Sequence, residues 1–345
     1  MHYVNLGASG LKVSRIALGM MTFGSSQWRP WVLDEAAARP IVQRAVELGI
    51  NLFDTADMYS GGESEKVTGQ LLREFAQRDE IVIATKLFHP VDLAFKGGNA
   101  DAPKPPVRPN TSGLSRKRIF AAVDASLQRL GVDTIDLYQI HRFDAHTPVE
   151  ETMQALHDVV RAGKVRYLGA SSMWAWQFAK MQHAAEQHGW TRFISMQNHH
   201  NLAYREEERE VIPLCLDQGV GLLPWSPLAR GFLAGNRARH ASEEAASGAT
   251  SRAQTDDLAQ KYYYQDSDHA VAAALSALAQ KKGVSNATLA YAWLLHQRGV
   301  TAPIVGASKV WQIEQAVQAL DISLSAEDLT QLAAPYRPHP VLGHQ

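Results

Sequence analysis

Ile81-Val-Ile-Ala-Thr-Lys86 is an uncharged, β-forming run that ends abruptly on a lysine. It does not alternate apolar and polar residues, so it reads as a parallel strand buried on both faces rather than a sheet with a wet side. Seven more short strand-like runs follow the same reading, several of them continuous and apolar: Ile16–Gly19, Asn51–Asp54, Ile135–Ile140, Val165–Gly169, Phe193–Gln197, Gly221–Pro224 and Ala302–Gly306. Helical periodicity separates them. Eight strands alternating with helices imply a parallel sheet, and eight is the number that closes such a sheet into a (β/α)8 TIM barrel.

The helices carry readable start and stop signals. Asp34 caps a helix running to about Leu48 with Gly49 as its stop, and Pro40 should make its start irregular. Ser115 opens a pattern through Ile119, Val123 and Leu127 that Gly131 ends; Pro148 and Glu150–Glu151 open another that Gly163 closes. Further helical stretches fall at about 65–76, 175–188, 206–218, 269–282, 285–297 and 309–319. Tyr3–Val13, with Gly7 and Gly10, reads as a small hairpin sealing one end of the barrel. The segments 89–114 and 228–268 are long loops that follow the third and seventh strands, which puts both on the C-terminal face where barrels of this kind bind substrate. The whole of 1–345 reads as one domain.

Composition supports a globular chain. Of the 345 residues 46% are hydrophobic and 20% charged, and 34 basic side chains nearly balance 35 acidic ones for a net charge of −1. That balance offers no electrostatic argument for nucleic acid or an acidic membrane as partner. The one cysteine, Cys215, lies in an apolar helical run and reads as a small hydrophobe. With no basic, apolar leader at the N-terminus and no run of roughly 18 apolar residues, the expected compartment is the cytoplasm.

The strand ends are the informative positions. In order they carry Asp54, Lys86, His141, Ser171–Ser172, Gln197–Asn198, Trp225–Ser226 and Ser308–Lys309. Polar groups in a barrel interior cost free energy unless partnered, whereas at the mouth they converge on a ligand. Lys86 needs a counter-ion, and Asp54 on the neighbouring strand is a natural one. Tyr59, five residues beyond Asp54, points at the same space. An ammonium beside a phenol stabilises its phenolate and makes it a better proton donor. His141 can donate a hydrogen bond to a carbonyl oxygen. Each of these residues alone has an ordinary packing explanation; their arrival at successive strand ends does not.

At this point the chain resembles the aldo-keto reductases. Asn51-Leu-Phe-Asp-Thr-Ala-Asp-Met-Tyr59 is similar to the family signature around its Asp and Tyr, Ile83-Ala-Thr-Lys86 to the strand with its lysine, and Asp136-Leu-Tyr-Gln-Ile-His141 to the strand with its histidine. Gly169-Ala-Ser-Ser172, Gln197-Asn198, Pro224-Trp-Ser-Pro-Leu228 and Gly306-Ala-Ser-Lys309 follow in family order, so the match spans about residues 3–319. Met173-Trp-Ala-Trp-Gln-Phe178 and the tail Pro335–Gly343 look like a bacterial branch related to aryl-alcohol dehydrogenases.

The resemblance implies reversible, NADPH-dependent reduction of aldehydes or ketones, with NADH a lesser alternative. Tyr59 would donate the proton, Lys86 and Asp54 would tune it, and His141 would orient the carbonyl. For the cofactor it implies contacts from Thr22, Asp54, Ser171, Gln197, Trp225, Ser226, Leu228, Gly231, Arg237, Ser308, Lys309, Gln312 and Gln315. Among these, Ser171 and Gln197 would hold the carboxamide, Trp225 would stack on the nicotinamide, and Lys309 would meet a 2′-phosphate where Ser308 and Lys309 open the last helix. Arg237 would substitute for a family lysine. Ala316 stands where family members often carry Asn. Trp28, Trp31 and Trp174 could frame a roomy aromatic pocket for a small-molecule carbonyl or alcohol.

No G-x-G-x-x-G or P-loop is present, and His199-His200 lacks a carboxylate or cysteine at metal-binding spacing, so no metal is expected; Asn198 and Asn201 suit a polar substrate wall. Two other readings remain open on the same residues. One is a non-catalytic NADPH-binding regulatory subunit of the channel-β type, and the other a Schiff-base lyase using Lys86.

Overall fold

The computed structural model describes residues 1–91, 107–235, 259, 262, 263 and 265–344. A two-stranded antiparallel hairpin, β1 (Tyr3–Asn5) and β2 (Lys12–Ser14), precedes the barrel. The barrel strands are β3 (Ala17–Gly19), β4 (Leu52–Asp54), β5 (Val82–Leu87), β6 (Ile135–Ile140), β7 (Val165–Ser171), β8 (Phe193–Gln197), β9 (Gly221–Leu222) and β10 (Ile304–Val305). All neighbours are parallel, and β10 lies beside β3, so the strands make one turn in chain order. Thr301 N donates to Leu222 O at 2.9 Å and Ile304 N to Pro224 O at 2.9 Å, which joins the last strand to the seventh and closes the ring. The expected eight strands are the observed ones, two of them with identical bounds and the others with ends displaced by no more than two residues.

The helices follow the same logic. They are α1 (Glu35–Glu47), α2 (Glu63–Phe75), α3 (Arg116–Leu130), α4 (Val149–Arg161), α5 (Ala175–His188), α6 (Val211–Asp217), α7 (Asp266–Lys282), α8 (Asn286–Leu295), α9 (Val310–Gln318) and α10 (Ala326–Ala333). Asp34 caps α1 by accepting from Ala37 N at 3.0 Å, and the helix runs through Pro40 without a break. Ser115 caps α3 and Gly131 ends it in the left-handed region, as its lack of a Cβ allows. The 206–218 stretch is shorter than expected: Glu206–Glu208 form a 3-10 turn before α6.

The final helix was not anticipated. α10 follows α9, so Ser308 and Lys309 do not open the last helix. Its start was written in Ser325-Ala-Glu-Asp328, a reciprocal capping box in which Ser325 Oγ accepts from Asp328 N at 3.1 Å and Asp328 Oδ2 accepts from Ser325 N at 3.0 Å.

Two parts of the core position the site. One lies between strands and helices and gathers residues such as Ile83, Leu87, Tyr138, Ile140 and Val123. The other lies inside the barrel, where Ala17, Leu52, Val82, Ala84, Leu137 and Leu223 pack against Leu6 and Val13 of the hairpin. Leu6 and Val13 are fully buried, so the hairpin plugs the N-terminal end. Gly7 makes this fit possible: with φ at +59°, a Cβ there would sit 2.4 Å from Gly219 O. The expected loops at 89–114 and 228–268 fall largely on residues outside the described set, and Arg237 lies there too. Among the described residues no helix is long and apolar enough to cross a membrane.

Candidate active site

Alternation along each strand converts the apolar plug into a polar mouth. On β4 Leu52 is followed two residues later by Asp54; on β5 Val82 and Ala84 lead to Lys86; on β6 Leu137 leads to Gln139 and then His141. Lys86 is fully buried and Asp54 nearly so. The ammonium donates to Asp54 Oδ2 at 2.6 Å, to the Thr55 carbonyl at 2.7 Å and to the Tyr59 hydroxyl at 3.4 Å. An ammonium has three donors, and these partners use all of them. Burial opposes the charge on Lys86, but Asp54 and Tyr59 outweigh it and hold its pKa above the ordinary lysine value. Lys86 is therefore a fixed cation.

Asp54 is held from its other side. Its Oδ1 accepts from Gln139 Nε2 at 2.8 Å and from Gln197 Nε2 at 2.9 Å, and Gln197 Nε2 also lies 3.2 Å from Gln139 Oε1. Gln139 was not among the expected site residues. The signal was present, because Leu137, Gln139 and His141 share one face of β6. Gly169 leaves room for this network, since a Cβ there would lie 2.5 Å from Ser195 Oγ and 2.9 Å from Gln139 Cγ.

Tyr59 is half-buried in a short turn ahead of α2. Its ring meets the His141 ring edge-on at 5.8 Å between centroids. His141 is 9% exposed and its Nδ1 has no hydrogen-bond partner among the described residues. Burial, then the positive fields of Lys86, Arg142 and His89, push its pKa well below the usual histidine value. It is a neutral imidazole. The structure thus brings Asp54, Tyr59, Lys86 and His141 to one rim, with Gln197 joined to them through Asp54.

Apart from Arg237, which lies outside the described residues, the expected cofactor residues stand at or beyond the C-terminal ends of the barrel strands. Thr22 is buried in the turn after β3. Ser171 Oγ donates to the Gln197 carbonyl at 2.8 Å, while Ser172 Oγ accepts from Trp225 Nε1 at 2.9 Å. Trp225 is half-buried and lies parallel to the His199 ring at 4.0 Å, and Tyr204 lies at 4.0 Å from His199 in turn. Ser226 and Leu228 lead into a tight turn at Gly231, and a Cβ on Gly231 would meet open space. Lys309 is exposed at the start of α9, where Gln312 Oε1 accepts from Ser308 N at 2.7 Å and Lys309 N at 3.2 Å. Gln312 therefore serves as a cap rather than reaching outward. Gln315 is half-buried further along α9.

One expectation needs correction. Asn198 and Asn201 do not form a substrate wall: both are fully buried, as are His199 and His200 between them. His199 is the plate behind Trp225, with Nε2 at 2.6 Å from Tyr263 OH; His200 Nε2 lies 2.8 Å from Glu208; and Asn201 Oδ1 accepts from Ala203 N and Tyr204 N. Trp174 packs against the C-terminal tail, with the His344 ring edge-on at 4.8 Å. That tail is pinned by Tyr336 OH donating to Glu206 at 2.6 Å, Leu342 N donating to Tyr204 OH at 2.8 Å, and His344 Nε2 lying 2.7 Å from Glu207. Trp28 does stand near Tyr59, with ring centroids 6.3 Å apart.

Backbone strain marks the same face. Among the described residues, the non-glycine positions with positive φ are Ser60, Phe88, Asn110, Ser172, Ser226, Ala229 and Arg230, and every one lies between a barrel strand and the next helix. Such conformations persist where surrounding structure enforces them, commonly at functional sites. Among the described residues, no group of three or more His, Cys, Asp or Glu could hold a metal ion. Cys215 is buried, and burial pushes its thiol up to about 12, which leaves it an inert hydrophobe at neutral pH.

A profile of the Aldo/keto reductase family matches residues 15–337. A Schizosaccharomyces pombe protein with the provisional name aryl-alcohol dehydrogenase is 47% identical over 99% of this chain and 97% of its own. Versiconal hemiacetal acetate reductase of Aspergillus parasiticus is 45% identical over 99% of this chain and 98% of its own. An aldo-keto reductase of Fusarium vanettenii is 46% identical over 99% and 93%. These relatives are fungal, so the affinity with a bacterial branch suggested by residues 173–178 and the tail is not supported; the likeness to aryl-alcohol dehydrogenases is.

Proposed function

We propose that this chain, which belongs to the aldo/keto reductase family, reduces aldehydes or ketones to alcohols with NADPH, and that Tyr59 supplies the proton. The family is one of oxidoreductases acting on carbonyl and alcohol groups with nicotinamide cofactors, and the chain is such an enzyme. The observation that carries the finer reading is the Lys86 ammonium, anchored by Asp54 and Thr55, with its third donor on the Tyr59 hydroxyl at 3.4 Å.

Bound NADPH supplies a hydride to the carbonyl carbon. The chain's residues deal with the oxygen, where negative charge develops as the carbonyl bond is broken. His141, neutral and with ring nitrogen to spare, aims the carbonyl oxygen at the Tyr59 hydroxyl. Tyr59 gives its proton to that oxygen, completing the alcohol, and the phenolate left behind is stabilised by the ammonium of Lys86. Asp54, braced by Gln139 and Gln197, keeps the ammonium in place. Solvent then returns the proton to Tyr59.

The rest of the rim fits the cofactor. Trp225, stiffened by His199, offers a ring for the nicotinamide; Ser171, Ser172 and Gln197 offer polar groups beside it. Ser226, Leu228 and the open backbone at Gly231 would cradle the pyrophosphate, and Lys309 at the α9 N-terminus suits a 2′-phosphate. That last feature is the argument for NADPH over NADH. A small-molecule carbonyl compound is the substrate on this reading, and the aromatic rings of Trp28, Trp31 and Tyr59 favour an aryl or otherwise bulky one.

Tyr59→Phe tests it. Reduction of an aromatic aldehyde, followed by loss of nicotinamide absorbance, should fall by about 10²–10⁴-fold, the usual contribution of a positioned acid, while NADPH affinity by fluorescence titration stays within about twofold. Equal losses in turnover and affinity would show that Tyr59 is structural.

A further inference from the structure

Arg142 directly follows His141 and plays no part in the chemistry above. Its side chain is half-buried, and among the described residues its hydrogen bond is from Nη1 to the His141 carbonyl at 2.6 Å. A guanidinium has five N–H donors, so most of its fork is left over. Other inward arginines of this protein meet carboxylates: Arg118 meets Asp57 at 2.6 Å, Arg129 meets Glu65 at 2.6 Å, and Arg205 forks onto Glu208 at 2.8 and 2.9 Å. No carboxylate among the described residues lies within ion-pair distance of Arg142.

Its surroundings belong to the site. Arg142's charge depresses the pKa of both His141 and His89, and the acidic groups that act on it in return are the phenols of Tyr262 and Tyr59. The His89 ring stands edge-on to His141 at 5.0 Å, and Tyr262 lies 6.5 Å from Trp225. Burial pushes the guanidinium below its ordinary value, a cost that nothing in the described protein offsets with an opposite charge. Arg142 is not placed for a cofactor phosphate. β6 stands four strands from β10 in the ring of eight, on the opposite side from the loops after the seventh and eighth strands where barrels hold phosphate.

We propose that Arg142 is a specificity-determining residue that binds a carboxylate on the carbonyl substrate, so that the site favours formyl or oxo acids over their neutral analogues. A carboxylate matches the flat fork in two parallel hydrogen bonds, a geometry that a neutral acceptor does not fill. The proposal rests on the reductase reading for the word substrate, but the anion site itself can be examined without turnover.

Calorimetric titration of the full-length chain with benzoate and with benzamide does this. Benzoate should bind at least about tenfold more tightly than benzamide, as a charge-assisted bidentate pair requires. In Arg142→Gln, which keeps a donor for the His141 carbonyl, that ratio should collapse to near one; Arg142→Lys, which keeps the charge without the fork, should retain part of it. In parallel, kcat/KM for 4-formylbenzoate should fall about 30-fold in Arg142→Gln, within the range for losing a hydrogen-bonded charge, while methyl 4-formylbenzoate changes less than about threefold. Equal binding of benzoate and benzamide by the wild type, or a benzoate preference that survives Arg142→Gln, overturns the proposal. Absence of any aldehyde turnover would sink the reductase reading, and the benzoate ratio would still decide Arg142.

Discussion

At the hairpin end of the barrel the inward side chains are Leu52, Val82 and Leu137, closed off by Leu6 and Val13; at the loop end the same strands present Asp54, Lys86 and Gln139. The positive-φ side chains found among the described residues all lie at the loop end as well. Two to four residues of strand separate a dry plug from a charged, strained mouth. The lesson is a division of labour. The plug closes the dry end, and the rigid strands above it hold a buried cation 3.4 Å from the Tyr59 hydroxyl.

This contrast can be broken from either end. The largest stability effect should come from the plug: Leu6→Ala removes a fully buried side chain and should cost about 3 kcal/mol, by the usual range for such cavities. Chemical denaturation measures it. Below the melting range kcat/KM should be unchanged, and a parallel loss of turnover would show that the two ends are not separable.

Acid should strike the other end. His141 and His199 are held well below the ordinary value of 6.5 and His89 is lowered to about 4, so all three stay neutral in the fold while the unfolded chain takes up protons below about pH 6.5. Stability is therefore lost as pH falls. Asp57 works in the opposite sense: burial raises it to about 7 despite Arg118, so the folded state takes up its proton first. Three groups against one leave a net loss of about 2 kcal/mol between about pH 7 and pH 5.5. Denaturant midpoints across that interval check the sign, and a midpoint that rises on acidification would mean that these histidines are solvated.

The smallest effect sharpens the comparison within the mouth itself. Lys309 is exposed at the start of α9 and makes none of the contacts around Lys86, so Lys309→Ala should weaken NADPH by about tenfold, the worth of one charge-assisted contact, and leave NADH affinity and the hydride step alone. An unchanged NADPH-to-NADH ratio would remove Lys309 from the 2′-phosphate site.

Much of this was legible in the sequence because buried parallel strands are written as short uncharged runs, and a charge at the end of such a run has few innocent explanations. That is why Asp54, Lys86 and His141 could be read, and why capping residues such as Asp34 and Ser115 located their helices. The misses have the same physical root. Gln139 is a polar residue inside a strand that reads as apolar overall, so only the parity it shares with His141 betrays it. Asn198 and Asn201 were read as a substrate wall because polarity usually means exposure; here they lie in the interior beside His199, which stacks under Trp225, and His200, which hydrogen-bonds to Glu208. The tail beyond Tyr336 has no periodicity, since single contacts to Tyr204, Glu206 and Glu207 hold it and no continuous face does.

The account stands on Lys86 and Tyr59 acting as one unit, and single-turnover hydride transfer in Tyr59→Phe, Lys86→Met and the double variant measures this directly. If the ammonium works through the phenol, the double variant should be no slower than the slower single one, as for residues whose effects are not additive. Losses that multiply would mean that the two side chains contribute separately, and that the 3.4 Å contact between them does not carry the chemistry.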